Sequence, residues 1–153
     1  MRQMIRRAAV SASVAAAVMV TVLAPSALRA EEAGGYQTAV KVTPLLKTTT
    51  TTSGAAIRYP SFDDPEVTAV LVEIPAGGET GWHIHPVPAY AYVIDGAIEV
   101  EMRGGAKRRF SAGEALAEMV DTEHNGRNPG PGPVTILMFA TGEKGRPFSQ
   151  KAE

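Results

Sequence analysis

An all-β jelly roll or barrel is the fold this sequence predicts, and three observations predict it. Short apolar runs are cut at close intervals by Gly and Pro, of which the chain has 15 and 11. No stretch after residue 30 sustains helical periodicity, and several runs alternate apolar and polar residues with the period of two of a strand. Strands this short and this numerous close most naturally on themselves, which hides the edges an open sheet would leave exposed.

The N-terminus precedes the fold. Arg2, Arg6 and Arg7 stand ahead of an uncharged, Ala- and Val-rich run over residues 8–28, the basic and apolar regions of a secretory signal. Residues 1–30 therefore read as a signal peptide cut after Ala30, before Glu31 and Glu32, with a cut after Ser26 as the alternative. The run is weakly hydrophobic for a spanning helix, so no stable membrane anchor is expected after cleavage, and the protein is expected to be exported, periplasmic or secreted. Residues 31–153 then make one domain with a single core. Losing residues 1–30 removes four arginines and no acids and leaves 11 basic against 16 acidic residues, a formal charge of −5. That balance disfavours nucleic acid as a partner. The absence of cysteine excludes a disulfide framework and thiolate ligands, and suits an oxidising compartment.

The strands follow in order. Residues 38–47 and 55–59 are the first two candidates, separated by a threonine-rich run over residues 48–52 that reads as edge strand or loop without assigned function. Residues 67–74 are rich in Val and end at Pro75-Ala76-Gly77-Gly78; residues 80–84 lead into His83-Ile84-His85. Over residues 89–94 bulky Tyr90, Tyr92 and Ile94 alternate with Ala89, Ala91 and Val93, giving the strand one large and one small face. Asp95-Gly96, followed by strict alternation over residues 97–102, predicts a hairpin closed by a type I′ turn. Gly104-Gly105 turns the chain into residues 108–110, with Lys107-Arg108-Arg109 a solvated face, and Gly113 precedes residues 115–120. The run from Asn128 to Pro133 introduces the last strand, residues 134–140. Phe62, Phe110, Phe139 and Met138 read as core, and residues 31–35 and 145–153 as tails.

The chemistry concentrates in three residues. His83, His85 and His124 are all the histidine the chain has, and three neutral imidazoles without a thiolate suffice for one divalent transition metal. Being two apart on an extended segment, His83 and His85 project to one face.

Around these histidines the chain resembles the cupins. Gly77, His83-Ile84-His85, Ala89 and Gly96 carry the spacing of the first cupin motif, with Ala89 where its glutamate belongs. Gly113, His124 and Asn128 carry that of the second, with Met119 and Asp121 replacing its proline and glycine. The two motifs lie 16 residues apart, over 97–112, and the resemblance covers roughly residues 67–139. It implies a double-stranded β-helix, the conserved-barrel jelly roll, with His83, His85 and His124 binding one metal inside. It also implies that Ala89 faces the metal, so that Ala91 and Val93 line the same cavity and Tyr90 and Tyr92 pack outward.

Ala89 cannot ligate, which leaves three arrangements: a three-histidine site with open positions, a carboxylate from elsewhere, or a degenerate barrel without metal. Glu118, in the apolar run Ala115-Leu116-Ala117-Glu118-Met119, is the best substitute as a fourth ligand or general base; a solvent-facing strand residue is the other reading. Glu79 is a weaker, solvated candidate. Asn128 either supports His124 from behind the metal or caps the turn before Pro129, and Trp82 is a rim or core aromatic. The leading functional expectation is an oxygenase-like, metal-dependent enzyme acting on a small organic molecule, using Fe, Mn, Cu, Ni or Zn. A noncatalytic metal or small-ligand binding protein is the alternative, and an isomerase or lyase using the metal as Lewis acid a third. A homodimer formed across residues 38–47 is a further expectation.

Overall fold

The period-two alternation of the sequence is realised as two antiparallel sheets that close over one apolar interior. The computed structural model describes residues 39–152, so the expected signal peptide over residues 1–30 and tail over residues 31–35 lie outside the described residues. Among the described residues nine strands follow one another: β1 (Pro65–Ile74), β2 (His83–Ile84), β3 (Ala89–Asp95), β4 (Ala97–Met102), β5 (Lys107–Ser111), β6 (Ala115–Ala117), β7 (His124–Arg127), β8 (Val134–Glu143) and β9 (Gln150–Lys151). One sheet has the order β1-β8-β3-β6 and the other β5-β4-β7-β2-β9. No helix among the described residues is long and apolar enough to cross a membrane.

Register places the core. In the first sheet Val72 pairs with Ile136 and Ile74 with Val134, while Ala91 pairs with Met138 and Val93 with Ile136. These inward faces meet Ile98 and Val100 of β4 and Leu116 of β6 in one buried cluster. Alanine at 89 and 91 keeps this wall thin where the second sheet brings in its histidines. Tyr90 and Tyr92 alternate outward and are half-buried. Phe62 and Phe110 pack against the core and Met138 lies in it, but Phe139, expected there, is 45% exposed on the outer face of β8. Its neighbours on the strand, Met138 and Ala140, take the inward positions.

Several expected elements differ. Residues 38–47 form no strand over their described part: Val40, Leu45 and Leu46 stay exposed, because β-branched composition favours a strand only where a partner edge exists. Residues 55–59 reduce to a single pairing of Ala56 with Thr50. Conversely, β7 carries His124-Asn125-Gly126-Arg127, a polar, glycine-containing segment that is not among the expected strands, yet it is held between β4 and β2. The tail expected over residues 145–153 contains β9, which pairs with β2.

The Asp95-Gly96 corner is the most instructive difference. β3 and β4 belong to different sheets, so no hairpin forms there. Gly96 alone takes a positive φ, at 77°, whereas a type I′ turn needs two such residues. The chain uses the glycine to step from one sheet to the other; the true hairpin joins β4 to β5 through Gly104 and Gly105. A Cβ at Gly96 would lie 2.8 Å from the Pro133 carbonyl oxygen and 3.0 Å from Val134 Cα. Both contacts are backbone and cannot swing aside. Gly96→Ala is therefore expected to cost about 2 kcal/mol, read as a lower urea midpoint at unchanged m-value.

Candidate metal centre

Two strands of the second sheet and one loop bring the three histidines together. His83 of β2 pairs directly with His124 of β7, and His85 follows His83 by two residues onto the same face. Their ring centroids lie 4.3 to 5.1 Å apart, and one ring nitrogen from each falls within 4.8 Å of the other two.

Hydrogen bonding fixes which nitrogen that is. The Nδ1 of His83 is 2.8 Å from the Gly81 carbonyl, that of His85 2.8 Å from the Phe148 carbonyl, and that of His124 2.8 Å from the Thr122 carbonyl. A carbonyl only accepts, so each Nδ1 must carry the proton and donate. A ring in its neutral form then holds its lone pair on Nε2, turned to the shared centre. The Nε2 atoms of His85 and His124 are buried without a hydrogen-bond partner, which is costly unless something binds them. Orphaned imidazole nitrogens backed by carbonyls are the arrangement of a metal-ligating set, and the residues present fit such an ion. Burial, chiefly, pushes His85 and His124 down to about 4, against the opposing pull of their carbonyl partners. Both are neutral, ligand-ready bases over the physiological range.

Glu118 is buried, not solvent-facing: its side chain is 8% exposed and Oε2 lies 3.9 Å from His124 Nε2. That is too long for a hydrogen bond and short enough for both atoms to share one cation. Oε2 has no other partner. Burial raises this carboxyl to about 7, although the Met119 backbone N–H favours its charged form.

The remaining candidates are sorted by position. Ala91 lines the small cavity beside the imidazoles with Ile136 and Met138. Ala89 instead lines a cleft on the other side of Glu118, and Val93 is sealed in the core and lines neither. Asn128 does not support His124: its Nδ2 donates to the carbonyls of Ile74, Pro75 and Gly132, and its Oδ1 accepts from Gly130 N–H. It ties the Pro-Gly loop to the end of β1, the turn-capping reading. Glu79 is paired with Arg127 at 2.7 Å and with Asn125 on the surface, away from the centre. Trp82 is a half-buried rim residue with the Arg103 guanidinium 4.2 Å over its ring.

Sequence reasoning missed the C-terminal segment. Phe148 supplies the carbonyl that orients His85 and stacks on its ring at 5.6 Å, while Ala152 N–H bonds Trp82 O at 3.0 Å. The one available signal is that Phe148 is the only large apolar residue in residues 145–153.

Opposed shifts give the metal-free protein a specific pH dependence. Between their ordinary 6.5 and about 4, His85 and His124 bind protons in the unfolded chain only. Their contribution is complete above pH 6.5 and is lost as pH falls. Between its ordinary 4.5 and about 7, Glu118 binds a proton in the folded chain only, so its contribution is complete below 4.5 and lost as pH rises. Across pH 4.5–6.5 Glu118 thus offsets one of the two histidine protons. Glu118→Gln is expected to steepen the rise of stability with pH there by one proton, about 1.4 kcal/mol per pH unit. Urea titrations with EDTA at pH 5 and 6 measure this; an unchanged slope would mean that Glu118 is ionised in the fold.

Comparison with known proteins bears on the fold. The family model described as "Cupin domain" matches residues 70–140. No curated protein matches the chain. Among solved structures, a cupin domain from Bordetella pertussis Tohama I is 24% identical over 50% of this chain and 81% of its own, at TM-score 0.45. The DMSP lyase DddQ from Ruegeria pomeroyi DSS-3 is 23% identical over 56% of this chain and 43% of its own, at TM-score 0.50. The oxalate decarboxylase of Lactobacillus farciminis is 24% identical over 56% of this chain, at TM-score 0.47, and the match takes in 26% of its length. Likeness at this level concerns the fold.

Proposed function

The chain belongs to the cupin superfamily through residues 70–140, and from that premise we propose that it is a metal-dependent, oxygenase-like enzyme acting on a small organic molecule. The observation that carries this reading is the tautomer lock: three Nδ1–H groups are taken by backbone carbonyls, which leaves three Nε2 lone pairs for one divalent transition metal. When bound, such a metal supplies Lewis acidity and open positions for a bidentate substrate and dioxygen.

The chain's own residues do the rest. Glu118, buried beside His124 with an unpartnered Oε2, takes up a substrate proton as general base. Val72, Met138 and Phe148 form the apolar part of an open approach to His83 and His85. A noncatalytic metal-holding role has one observation in its favour, the small free volume of about 30 Å³ beside the imidazoles.

Elemental analysis of the protein, purified without a His tag, separates the readings. About one equivalent of Fe, Mn or Cu supports the enzyme, and one equivalent of tightly held Zn supports the binding protein. No metal after reconstitution with each ion removes both.

A further inference from the structure

One row of side chains crosses the second sheet. Register pairs Met102 of β4 with His124 of β7, His124 with His83 of β2, and His83 with Lys151 of β9. Residues directly opposite in antiparallel strands project to one face, with their Cβ atoms about 5 Å apart. Met102 packs against the core, which makes that face the inner one. Lys151 therefore ends a row that runs from the core through two of the three imidazoles. It stands on the edge strand, is exposed, and lines a mouth of about 370 Å³ together with His83 and His85.

We propose that this mouth is a binding site for a small organic carboxylate with an apolar body, and that Lys151 is the residue that reads its charge. The volume falls within the roughly 300–1,000 Å³ of small-molecule sites. Val72, Met138 and Phe148 offer the apolar wall. Among the described residues that line the mouth, Lys151 is the one Lys, Arg, Asp or Glu, and neither its ammonium nor the Ser149 hydroxyl has a partner among the described residues. The other charges nearby are engaged: Arg103 lies over Trp82 and pairs with Glu123, and Glu79 pairs with Arg127. A carboxylate accepts through two oxygens, which one ammonium and one hydroxyl match. A phosphate brings three acceptor oxygens and nearly two charges, more than these two donors satisfy.

The segment that carries both donors is held in place. His85 Nδ1 donates to the Phe148 carbonyl at 2.8 Å, Gln150 pairs with Ile84, and Ala152 N–H bonds Trp82 O at 3.0 Å. Ser149 and Lys151 thus keep a fixed relation to the imidazoles, and the residues whose composition reads as a tail become part of a site. That the bound acid is a substrate rests on the reading of the centre as an enzyme's; that it binds here does not.

Calorimetric titration of the full chain at pH 8, as purified and after EDTA, with benzoate and its neutral isostere benzamide, tests the proposal. Benzoate is expected to bind at least about tenfold tighter in both preparations, with amide NMR shifts after EDTA at Trp82, Ser149 and Lys151. Lys151→Met is expected to remove the preference while benzamide binding and metal content stay unchanged. Lys151→Arg is expected to keep it, and Lys151→Glu to pass it to benzylamine. Equal binding of benzoate and benzamide overturns the proposal, as does a preference that survives Lys151→Met. So does a preference seen only before EDTA, which would put the carboxylate on the metal, or shifts centred on Ala55, Ile57 and Met119 in the cleft beyond Glu118. A purified protein that takes no metal yet keeps the preference removes the enzyme reading and leaves the carboxylate site standing.

Discussion

His124→Ala is expected to lower metal affinity at least about 100-fold, so that the purified variant carries no stoichiometric metal while its barrel stays assembled. The separation follows from where His124 sits. Its strand is short and is held by backbone pairing to β4 over four residues, none of which needs the imidazole. The apolar cluster lies among Val93, Val134, Ile136 and their neighbours, so losing one ring removes a ligand and little of the core. With two imidazoles left, His83 and His85 cannot by themselves close the coordination that three converging Nε2 atoms provide. Elemental analysis beside near-ultraviolet circular dichroism measures both halves. Glu79→Ala serves as the contrast: its carboxylate pairs with Arg127 at the surface, and metal content should not change. One equivalent of metal retained by a folded His124→Ala protein would refute the three-histidine centre.

The parts of this molecule legible in its sequence are those set by side-chain pattern. Alternation over Ala89 to Ile94 foretold a buried small face and a half-buried aromatic one, because the pleat alone sorts them. The spacing of His83 and His85 put both on one face for the same reason. What stayed hidden depends on distant backbone. Asp95-Gly96 looks like a hairpin turn locally, but the two strands it joins part into different sheets, and no local residue encodes that choice. β7 is a strand because β4 and β2 flank it, despite Gly126 and three polar neighbours. Residues 39–47, the described part of that run, have strand composition and pair into neither sheet. The Phe148 carbonyl that orients His85 comes from 63 residues away, and a backbone acceptor leaves no mark in the identity of its residue. Glu118 was ambiguous for a related reason. It lines the same small cavity as Leu116, two residues before it, so alternation carries it inward; which face of the run is the inner one is set by the sheet it joins.

Glu118→Leu is expected to move stability and metal binding in opposite directions. Without metal, the carboxyl is raised from 4.5 to about 7 mainly by burial, so keeping it ionised at pH 8 costs about 3 kcal/mol. Leucine of similar volume, facing Leu116 and Ile136 across the same small cavity, carries no such cost, and removing a lone buried charge in favour of an apolar side chain is commonly stabilising. The metal-free variant should therefore resist urea better than the parent by up to about 3 kcal/mol at pH 8. The gain should be much smaller at pH 5, where the parent carboxyl is neutral. With metal the sign reverses. A divalent ion at the imidazoles supplies the positive charge that Glu118 lacks and draws its proton off, so the carboxylate stabilises the loaded state specifically. Losing such a partner typically costs ten- to a hundredfold in metal affinity, measured by competition against a chelator. A residue kept only for packing moves the first quantity alone. Metal affinity unchanged in Glu118→Leu would remove Glu118 from the centre, and with it the general base; a matched loss would mean that this fold carries a destabilising buried charge for the sake of the ion it holds.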